Sequence, residues 1–436
     1  MIRVIDWATA SQEERRRLLN RSAVPDPEIR RAAAAIVDEV RTGGEPAVAA
    51  AGARFGGARA DGSLRVPPAE WSAAWDRTAP EVRHALAAAA ANIGAAHQPQ
   101  IPADRSLEVV PGVRVDRRWA PLRRVGVYVP GGGAAYPSSL LMGVIPARLA
   151  GVPEVVVTSP AAGDGRLDDT LLAAAHMLEV DALYAVGGAQ AVALLAYGAG
   201  DIAPVDKIVG PGNAWVTAAK LAVFGDCAVD LPAGPSEALI IADDTADPWI
   251  VAADLLCQAE HGPDSPVTLV TADPALPARV LTAVDALLPS LERSAVLTKS
   301  LADHGTVVVV PDTAAAVALA NEYASEHVSV HTAAAAATAA QVTRAGSVFV
   351  GHWSPESAGD YATGANHVLP TGGQAAAYGP LSVEDFGSWR QVQELTAEGL
   401  ATLRPTIAAL AQAEGLTAHR LAADIRFDPP AERTPA

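Results

Sequence analysis

The chain has 436 residues, of which 50% are hydrophobic and 19% are charged. This length predicts two or three packed units, and the composition is that of a globular protein. The formal net charge of -17 disfavours binding to nucleic acid and to anionic membranes. The start has no signal-peptide core, no apolar run reaches the ~18 residues of a membrane helix, and two cysteines exclude a disulfide framework. We therefore expect a cytoplasmic enzyme.

Helices are predicted in the first part of the chain. A polar N-terminal segment ends near Pro25, and a helix follows from Glu28 to Arg41, where Gly43-Gly44 stops it. Another helix opens at Pro80, because proline is favoured at the first helical position.

The sequence changes at Arg124, where short β-branched runs begin to alternate with glycine turns and alanine-rich helices. The predicted strands include VGVYV, EVVVTSP, LYAVGG and KIVGPG, then ALIIAD, VTLVTAD, TVVVVPD and SVFVG. Strand, glycine turn and helix in repetition indicate parallel βαβ units and an α/β fold. The residues after Gly379 are predicted to be mostly helical up to about Arg420, and the proline-rich tail 428–436 is expected to be disordered.

Gln258 and His261 end a predicted helix over residues 248–261. They are three residues apart and therefore project from the same face of its last turn. A polar helix end facing water would explain the pair. The segment QAEHGPDS, however, sets polar side chains against an apolar helix, and their burial would require partners.

Glu326 and His327 stand between an alanine-rich helix (313–324) and the short strand VSV. A carboxylate beside an imidazole supplies two bases of different strength, one of which titrates near neutrality. Within a regular strand the two side chains would face opposite sides, but at a junction both can line one cleft. A surface Glu-His dipeptide is the alternative.

A loop rich in glycine and polar residues, 351–373, follows an apolar strand directly. Such loops often carry binding residues. Asp360 and His367 are the candidates in it, whereas His352, next to Trp353, is interpreted as incidental.

Glu414 and His419 lie near a helix terminus in AEGLTAHR. Four separated side chains offer one amide oxygen, two imidazoles and one carboxylate, namely Gln258, His261, Asp360 and His419. This set of nitrogen and oxygen donors suits Zn²⁺ or a similar divalent ion. Because the four are spread from position 258 to position 419, their spacing is not diagnostic.

Two glycine loops follow predicted strands and precede helices, 130–133 and 187–188. Backbone N–H groups there could bind phosphate. Neither loop is a G-x-G-x-x-G, and no acidic residue in a clear ribose position follows. The residues by themselves indicate an α/β enzyme with a candidate nucleotide site.

Several longer motifs resemble the signature blocks of the histidinol dehydrogenase family. In the family's order, from about residue 120 to 420, they are RVGVYVPGG, VGGAQA, VDKIVGPGNAWVTAAK, DLPAGPSE, DLLCQAEHGPDS, EYASEH, SVFVGHWSPESAGDYATGANHVLPT and AEGLTAH. Two departures, Ser325 where the family often has Pro and Val328 where it usually has Leu, bear on local rigidity and not on the chemistry.

The resemblance implies one Zn²⁺ per subunit and two molecules of NAD⁺ per substrate. The implied acid/base pair is Glu326 and His327. The implied metal ligands are Gln258, His261, Asp360 and His419. Substrate contacts are implied for these four ligands and for Ser236, His327, His367 and Glu414. Contacts to NAD⁺ are implied for Tyr128, Gln190 and Asn213.

The reaction that the resemblance implies is oxidation of L-histidinol to L-histidine through histidinaldehyde, at the end of histidine biosynthesis. The alternatives are a relative that oxidises another amino alcohol or a diol, which the retention of Glu414 argues against, and a zinc hydrolase that uses Glu326 to activate water. Formation of NADH distinguishes the dehydrogenases from the hydrolase.

The family fold implies two α/β domains with incomplete Rossmann-like parallel sheets and small helical segments at both ends. The expected boundaries are an N-terminal segment (1–22), a discontinuous domain with the metal and catalytic residues (23–125 with 237–380), a domain with the NAD⁺ contacts (126–236), and a C-terminal segment (381–436). The resemblance also implies a homodimer in which the C-terminal segment completes the partner's site.

Overall fold

The computed structural model describes residues 2–131 and 135–427. In chain order its strands are β1 (Arg3–Asp6), β2 (Arg105–Val110), β3 (Val113–Pro121), β4 (Arg124–Tyr128), β5 (Glu154–Ser159), β6 (Ala182–Ala185), β7 (Lys207–Val209), β8 (Ala228–Val229), β9 (Ala238–Ala242), β10 (Val267–Thr271), β11 (Gly305–Val309), β12 (His327–His331), β13 (Ser347–Val350) and β14 (Gly387–Leu395).

The α-helices in chain order are α1 (Gln12–Leu19), α2 (Pro27–Phe55), α3 (Pro68–Arg77), α4 (Pro80–His97), α5 (Pro137–Leu149), α6 (Asp169–Met177), α7 (Gly188–Tyr197), α8 (Ala214–Val223), α9 (Pro248–Ala259), α10 (Leu276–Leu287), α11 (Ser294–His304), α12 (Thr313–Tyr323), α13 (Ala335–Ala339), α14 (Glu356–Tyr361), α15 (Ala397–Ala413) and α16 (Thr417–Asp424).

A six-stranded sheet has the order β1-β11-β10-β9-β12-β13, and all neighbouring strands in it are parallel. Side chains alternate across the sheet, so that Ile240 of β9 packs with α9, α10 and α11 while Leu239 and Ile241 pack with α12 on the other face. Because helices cover both faces, the five consecutive residues of the central strand β9, ALIIA, are all apolar.

A five-stranded sheet has the order β6-β5-β4-β7-β8 and is also parallel throughout. Val125 and Val127 of β4 pack with α5 and α6, whereas Val156 and Ile208 face α2, α7 and α8. The two sheets confirm the predicted parallel α/β fold.

Both parallel sheets belong to one compact unit, formed by the residues up to Ile101 and by Leu122–Phe386. A second unit contains Pro102–Pro121 and the residues from Gly387 on. Its antiparallel sheet has the order β14-β3-β2, and helices α15 and α16 follow. The finer domain boundaries given above stay predictions.

The terminal segments each contain a strand that the sequence did not indicate. β1 is the edge strand of the six-stranded sheet and pairs with β11. The nine-residue β14 pairs with β3, where helix was expected after Gly379. Most β14 side chains are exposed or half-buried, so the strand lacks the apolar alternation that marks a half-buried strand. In β14, Trp389 packs edge-to-face on Trp119, with 5.5 Å between ring centroids.

The glycine stop predicted after Arg41 is a kink within α2. Gly44 has φ 60° and ψ -143°, outside the helical region, and the helix resumes on its far side and continues to Phe55. Glycine tolerates this positive φ because it has no Cβ. Pro46 then stands in the first turn of the resumed helix, where its missing N–H costs no hydrogen bond.

No helix in residues 2–131 and 135–427 is both long and apolar enough to span a membrane. Two predictions concern residues that are not described: Gly132 and Gly133 of the first glycine loop, and the tail 428–436, lie outside the described residues.

Candidate active site and metal site

The pairing of β9 with β12 brings the candidate catalytic residues to one edge of the six-stranded sheet. The strands are parallel, and His327 lies opposite Ala238. Glu326 and Glu237, one position earlier, therefore meet at the amino ends of the two strands. α9 connects the parallel strands β9 and β10 and runs back across the sheet, so that Gln258 near its end returns to the same edge.

Glu326 is buried and is held by two donors. Its Oε2 accepts hydrogen bonds from Ser236 Oγ at 2.7 Å and from the Glu237 N–H at 2.9 Å. Burial raises the pKa of Glu326 well above its usual range, although these two hydrogen bonds oppose the rise. A carboxyl group with a raised pKa is a stronger base when ionised than an ordinary carboxylate, which suits general acid/base chemistry.

His327 is the first residue of β12 and is buried against Phe349, with 5.8 Å between ring centroids. Its Nδ1 lies 3.2 Å from Gln258 Oε1 and 3.7 Å from Glu356 Oε2. Burial lowers the pKa of His327 to about 3, and the nearby His261 and His367 lower it further, so the ring is neutral at neutral pH. Because Nδ1 faces two acceptor oxygens, we assign its proton there, which makes Nε2 the basic nitrogen.

A cluster of three possible metal ligands lies beside His327. One ligand atom each of His261, Glu356 and Asp360 lies within 4.8 Å of the others. Glu356 and Asp360 are four residues apart on α14 and therefore share a face. His261 follows the end of α9, three residues after Gln258, whose Oε1 reaches His327. The structure thus brings three of the predicted ligands, Gln258, His261 and Asp360, to one place.

Two buried polar atoms of this cluster lack a hydrogen-bond partner among the described residues: Glu356 Oε1 and Gln258 Nε2. Burial raises the pKa of Glu356 well above its usual range, and the charges of Asp360, Glu326 and Asp254 raise it further. Unpartnered buried polar atoms are costly, and a cation would compensate the carboxylates. The imidazole, carboxylate and amide donors therefore fit a divalent ion such as Zn²⁺.

Glu356 was not among the site residues predicted from the sequence. The sequence feature that could have indicated it is its spacing in SPESAGD, four residues before Asp360, which places both carboxylates on one face of a helix. Glutamate in the first turn of a helix, however, is common because it interacts favourably with the helix dipole. The sequence therefore gave no reason to prefer a buried role for Glu356 over an exposed one.

His367 connects the cluster to α5. Its Nδ1 lies 3.0 Å from the Asp360 backbone oxygen, and its Nε2 lies 3.3 Å from Ser139 Oγ in the first turn of α5. Burial lowers the pKa of His367, whereas the Asp360 carboxylate opposes this effect. The ring therefore bridges the candidate metal ligands and a helix that packs on the five-stranded sheet. Its contact to substrate stays a prediction.

The residues predicted to contact NAD⁺ lie at the carboxyl edge of the five-stranded sheet, where open α/β sheets bind ligands. Tyr128 ends β4, Gln190 lies in the first turn of α7, and Asn213 caps α8. Asn213 Oδ1 accepts hydrogen bonds from the first turn of α8, and the Tyr128 hydroxyl accepts one from the Gly188 N–H at 3.3 Å. Their assignment to NAD⁺ stays a prediction.

Glu414 and His419 belong to the second compact unit. Glu414 caps the end of α15, His419 lies in α16, and both are exposed in the single chain. Their predicted contacts to substrate and metal stay predictions.

A buried carboxyl and a neutral imidazole lie next to candidate metal ligands at one edge of a parallel sheet. This arrangement is typical of an α/β enzyme. The family model described as Histidinol dehydrogenase matches residues 19–427. The histidinol dehydrogenase of Vibrio parahaemolyticus is 43% identical over 98% of this chain and 99% of its own length. That of Halobacterium salinarum is 45% identical over 97% and 98%. The crystal structure of histidinol dehydrogenase from Elizabethkingia anophelis matches with a TM-score of 0.91 and 34% identity, covering 98% of each chain.

The chain belongs to the histidinol dehydrogenase family. This confirms the resemblance inferred from the signature blocks and the expectation of an enzyme.

Proposed function

We propose that this chain oxidises L-histidinol to L-histidine through histidinaldehyde, with two NAD⁺ as hydride acceptors. The observation that carries the proposal is the buried pair Glu326 and His327 beside the cluster His261, Glu356 and Asp360, in a member of this family. Two free cysteines support a reducing compartment, and the cytoplasm is the proposed location.

The proposed metal is Zn²⁺, held by Gln258, His261, Asp360 and a partner chain's His419. When bound, the ion would hold nitrogen atoms of the substrate and so orient it for reaction. Glu356 adds a buried carboxylate, with its Oε1 4.0 Å from His261 Nδ1 and its Oε2 3.7 Å from His327 Nδ1. We infer that Glu356 supports the metal site by charge and by orienting these imidazoles.

The variant Glu356→Gln is expected to weaken zinc binding by about 10- to 100-fold, because it removes a buried negative charge while keeping the side-chain shape. Competition with a chelator, followed by elemental analysis, measures this change. His261→Asn, which removes a proposed ligand, should also lower bound zinc. Glu260→Gln is the matched control, because Glu260 is exposed next to His261. Equal zinc affinity in Glu356→Gln and Glu260→Gln would contradict the proposed role.

In the alcohol step, His327 Nε2 is proposed to take the hydroxyl proton as hydride leaves the substrate carbon. The neutral ring is available because burial suppresses its protonation. The oxygens of Gln258 and Glu356 face Nδ1 and stabilise the imidazolium that forms.

In the aldehyde step, Glu326 is proposed to activate the water that forms the hydrate. Its raised pKa makes the ionised carboxylate a stronger base than an ordinary one, which favours transfer of a proton from water. Ser236 and the Glu237 N–H hold one carboxyl oxygen in place during this transfer. Only this second step requires an activated water.

With L-histidinol limiting, the enzyme is expected to form about two NADH per substrate, because one site performs both oxidations. Absorbance of NADH and chromatography of the products measure the ratio. One NADH with accumulated aldehyde would contradict the four-electron reaction, and hydrolysis without NADH would favour a zinc hydrolase.

The variant Glu326→Gln is expected to slow oxidation of histidinaldehyde by about 100-fold or more while affecting alcohol oxidation much less. The two half-reactions are assayed separately, starting from each substrate. His327→Asn provides the comparison, because loss of the base should impair both. Equal losses in both half-reactions of Glu326→Gln would show that Glu326 does not act on the hydrate alone.

A homodimer with shared sites is proposed from the family resemblance, with Glu414 and His419 acting in the partner's site. Their exposure in the single chain is compatible with this arrangement, because a partner can reach them. Two-fold symmetry would then give two equivalent shared sites.

Inactive His327→Asn and His419→Asn chains, unfolded and refolded together, are expected to recover about a quarter of wild-type activity. About half of the dimers are then mixed, and each mixed dimer has one site with both defects and one site with none. Activity of the mixture, with exchange confirmed by differential tags, measures this. Activity near zero despite exchange would mean that each site is built from one chain.

A further inference from the structure

Glu237 holds the proposed catalytic carboxyl with its backbone while its own side chain is buried behind the site. Its N–H donates to Glu326 Oε2 at 2.9 Å, and its side chain is 2% exposed. The Glu237 carboxylate accepts hydrogen bonds from the Gly372 N–H, at 3.1 Å, and from Arg21 Nη1. The residue that holds Glu326 is therefore itself anchored by an ion pair with Arg21.

Arg21 lies in the short segment between α1 and α2, within the stretch predicted to be a polar N-terminal segment. Its side chain is only 13% exposed. Besides Glu237, it donates from Nη2 to the Tyr323 backbone oxygen. Its guanidinium also stacks on the Tyr323 ring, 3.3 Å from the centroid. One arginine thus contacts the end of α12 and the residue before β9.

The contacts of Arg21 with Tyr323 and with Glu237 lie on the two chain segments that determine the position of Glu326. Tyr323 ends α12 three residues before Glu326, and Ala324 then reverses the chain in the left-handed region, with φ 51°. Glu237 precedes β9 and supplies one of the two donors to Glu326. The planar guanidinium, with donors in a rigid fork, is suited to fixing the distance between such segments.

We propose that Arg21 is a positioning residue for Glu326, acting through its ion pair with Glu237 and its hydrogen bond to the Tyr323 carbonyl. This inference rests on the proposed function, in which Glu326 activates water in the aldehyde step. Loss of Arg21 leaves the Glu237 carboxylate buried without its cation, so the 236–237 segment and its N–H donor shift relative to Glu326. A displacement of about 1 Å can lower the rate of such a step ~100-fold.

The effect should be selective for the aldehyde step. The His327 side chain contacts Gln258, Glu356 and Phe349, and no described contact joins these three side chains to Arg21. The backbone of His327 is held by the pairing of β12 with β9 along five residues. The His327 N–H also donates to the Glu237 backbone oxygen at 3.2 Å, so His327 shares one backbone contact with the residue that Arg21 anchors. Its side-chain contacts and the rest of the strand pairing do not involve Glu237, so the alcohol step should depend on Arg21 much less than the aldehyde step does.

The test is Arg21→Met in the full-length, zinc-loaded enzyme, with separate rates for histidinol and histidinaldehyde. We expect at least about a tenfold loss of kcat for the aldehyde and less than about a twofold loss for the alcohol. Arg15→Met is the matched control. Arg15 also stacks on an aromatic ring, Trp7, and donates to the Trp7 backbone oxygen at 2.7 Å, but neither contact involves a segment that places Glu326. It should leave both rates unchanged.

Two further variants keep the test decisive if Arg21→Met folds poorly. Arg21→Lys keeps the charge without the planar fork, so its aldehyde rate should lie between those of wild type and Arg21→Met. The double variant Arg21→Met with Glu237→Gln removes both buried charges. It should regain thermal stability while the aldehyde step stays slow. Wild-type aldehyde oxidation in the folded double variant would overturn the proposal.

A double-mutant cycle separates this inference from the proposed function. If Arg21 acts through Glu326, adding Arg21→Met to Glu326→Gln should change the aldehyde rate less than about twofold further. Independent, multiplicative losses would overturn the positioning role. Should Glu326→Gln slow both half-reactions alike, the proposed role of Glu326 fails, yet the cycle still decides whether Arg21 acts through it.

Discussion

The parallel pairing of β9 with β12 is the constraint on which the site depends. It sets Glu237 beside Glu326 at the amino ends of the strands and places His327 at the start of β12. The same pairing seats α9, because two polar contacts connect helix and strand four residues apart on each: Asp254 with His331 at 2.8 Å and Gln258 with His327 at 3.2 Å. A slip of one residue in this pairing would turn the His327 and His331 side chains away from α9 to the other face of the sheet.

Burial gives these groups their chemistry. Removal from water disfavours charge, so it raises the pKa values of Glu326, Glu356 and Asp360 and lowers those of His327 and His367. Such opposed shifts within one cluster are typical of functional sites. Polar groups buried in this way need polar partners, and a cation and a polar substrate would supply them.

Features of the fold that produce a local pattern in the sequence could be predicted from it. β-branched runs and glycine turns indicate the parallel sheets, and the helix-to-strand junction indicates Glu326 and His327. β14 was missed because its side chains are largely exposed on both faces. Arg21 and Glu237 were missed for another reason: they are 216 positions apart, and only the folded chain brings this pair together.

The position of β1 bears on the order in which the chain assembles during synthesis. Arg3–Asp6 pairs with Thr306–Val309. β1 is therefore synthesised first but cannot form its strand pairing until β11 has been synthesised. The five-stranded sheet, between Arg124 and Val229, has all of its strands available long before that. Such distant pairing slows folding and leaves strand edges exposed to aggregation. We therefore expect the nascent chain to complete the five-stranded sheet first and to close the edge of the six-stranded sheet only after β11 leaves the ribosome.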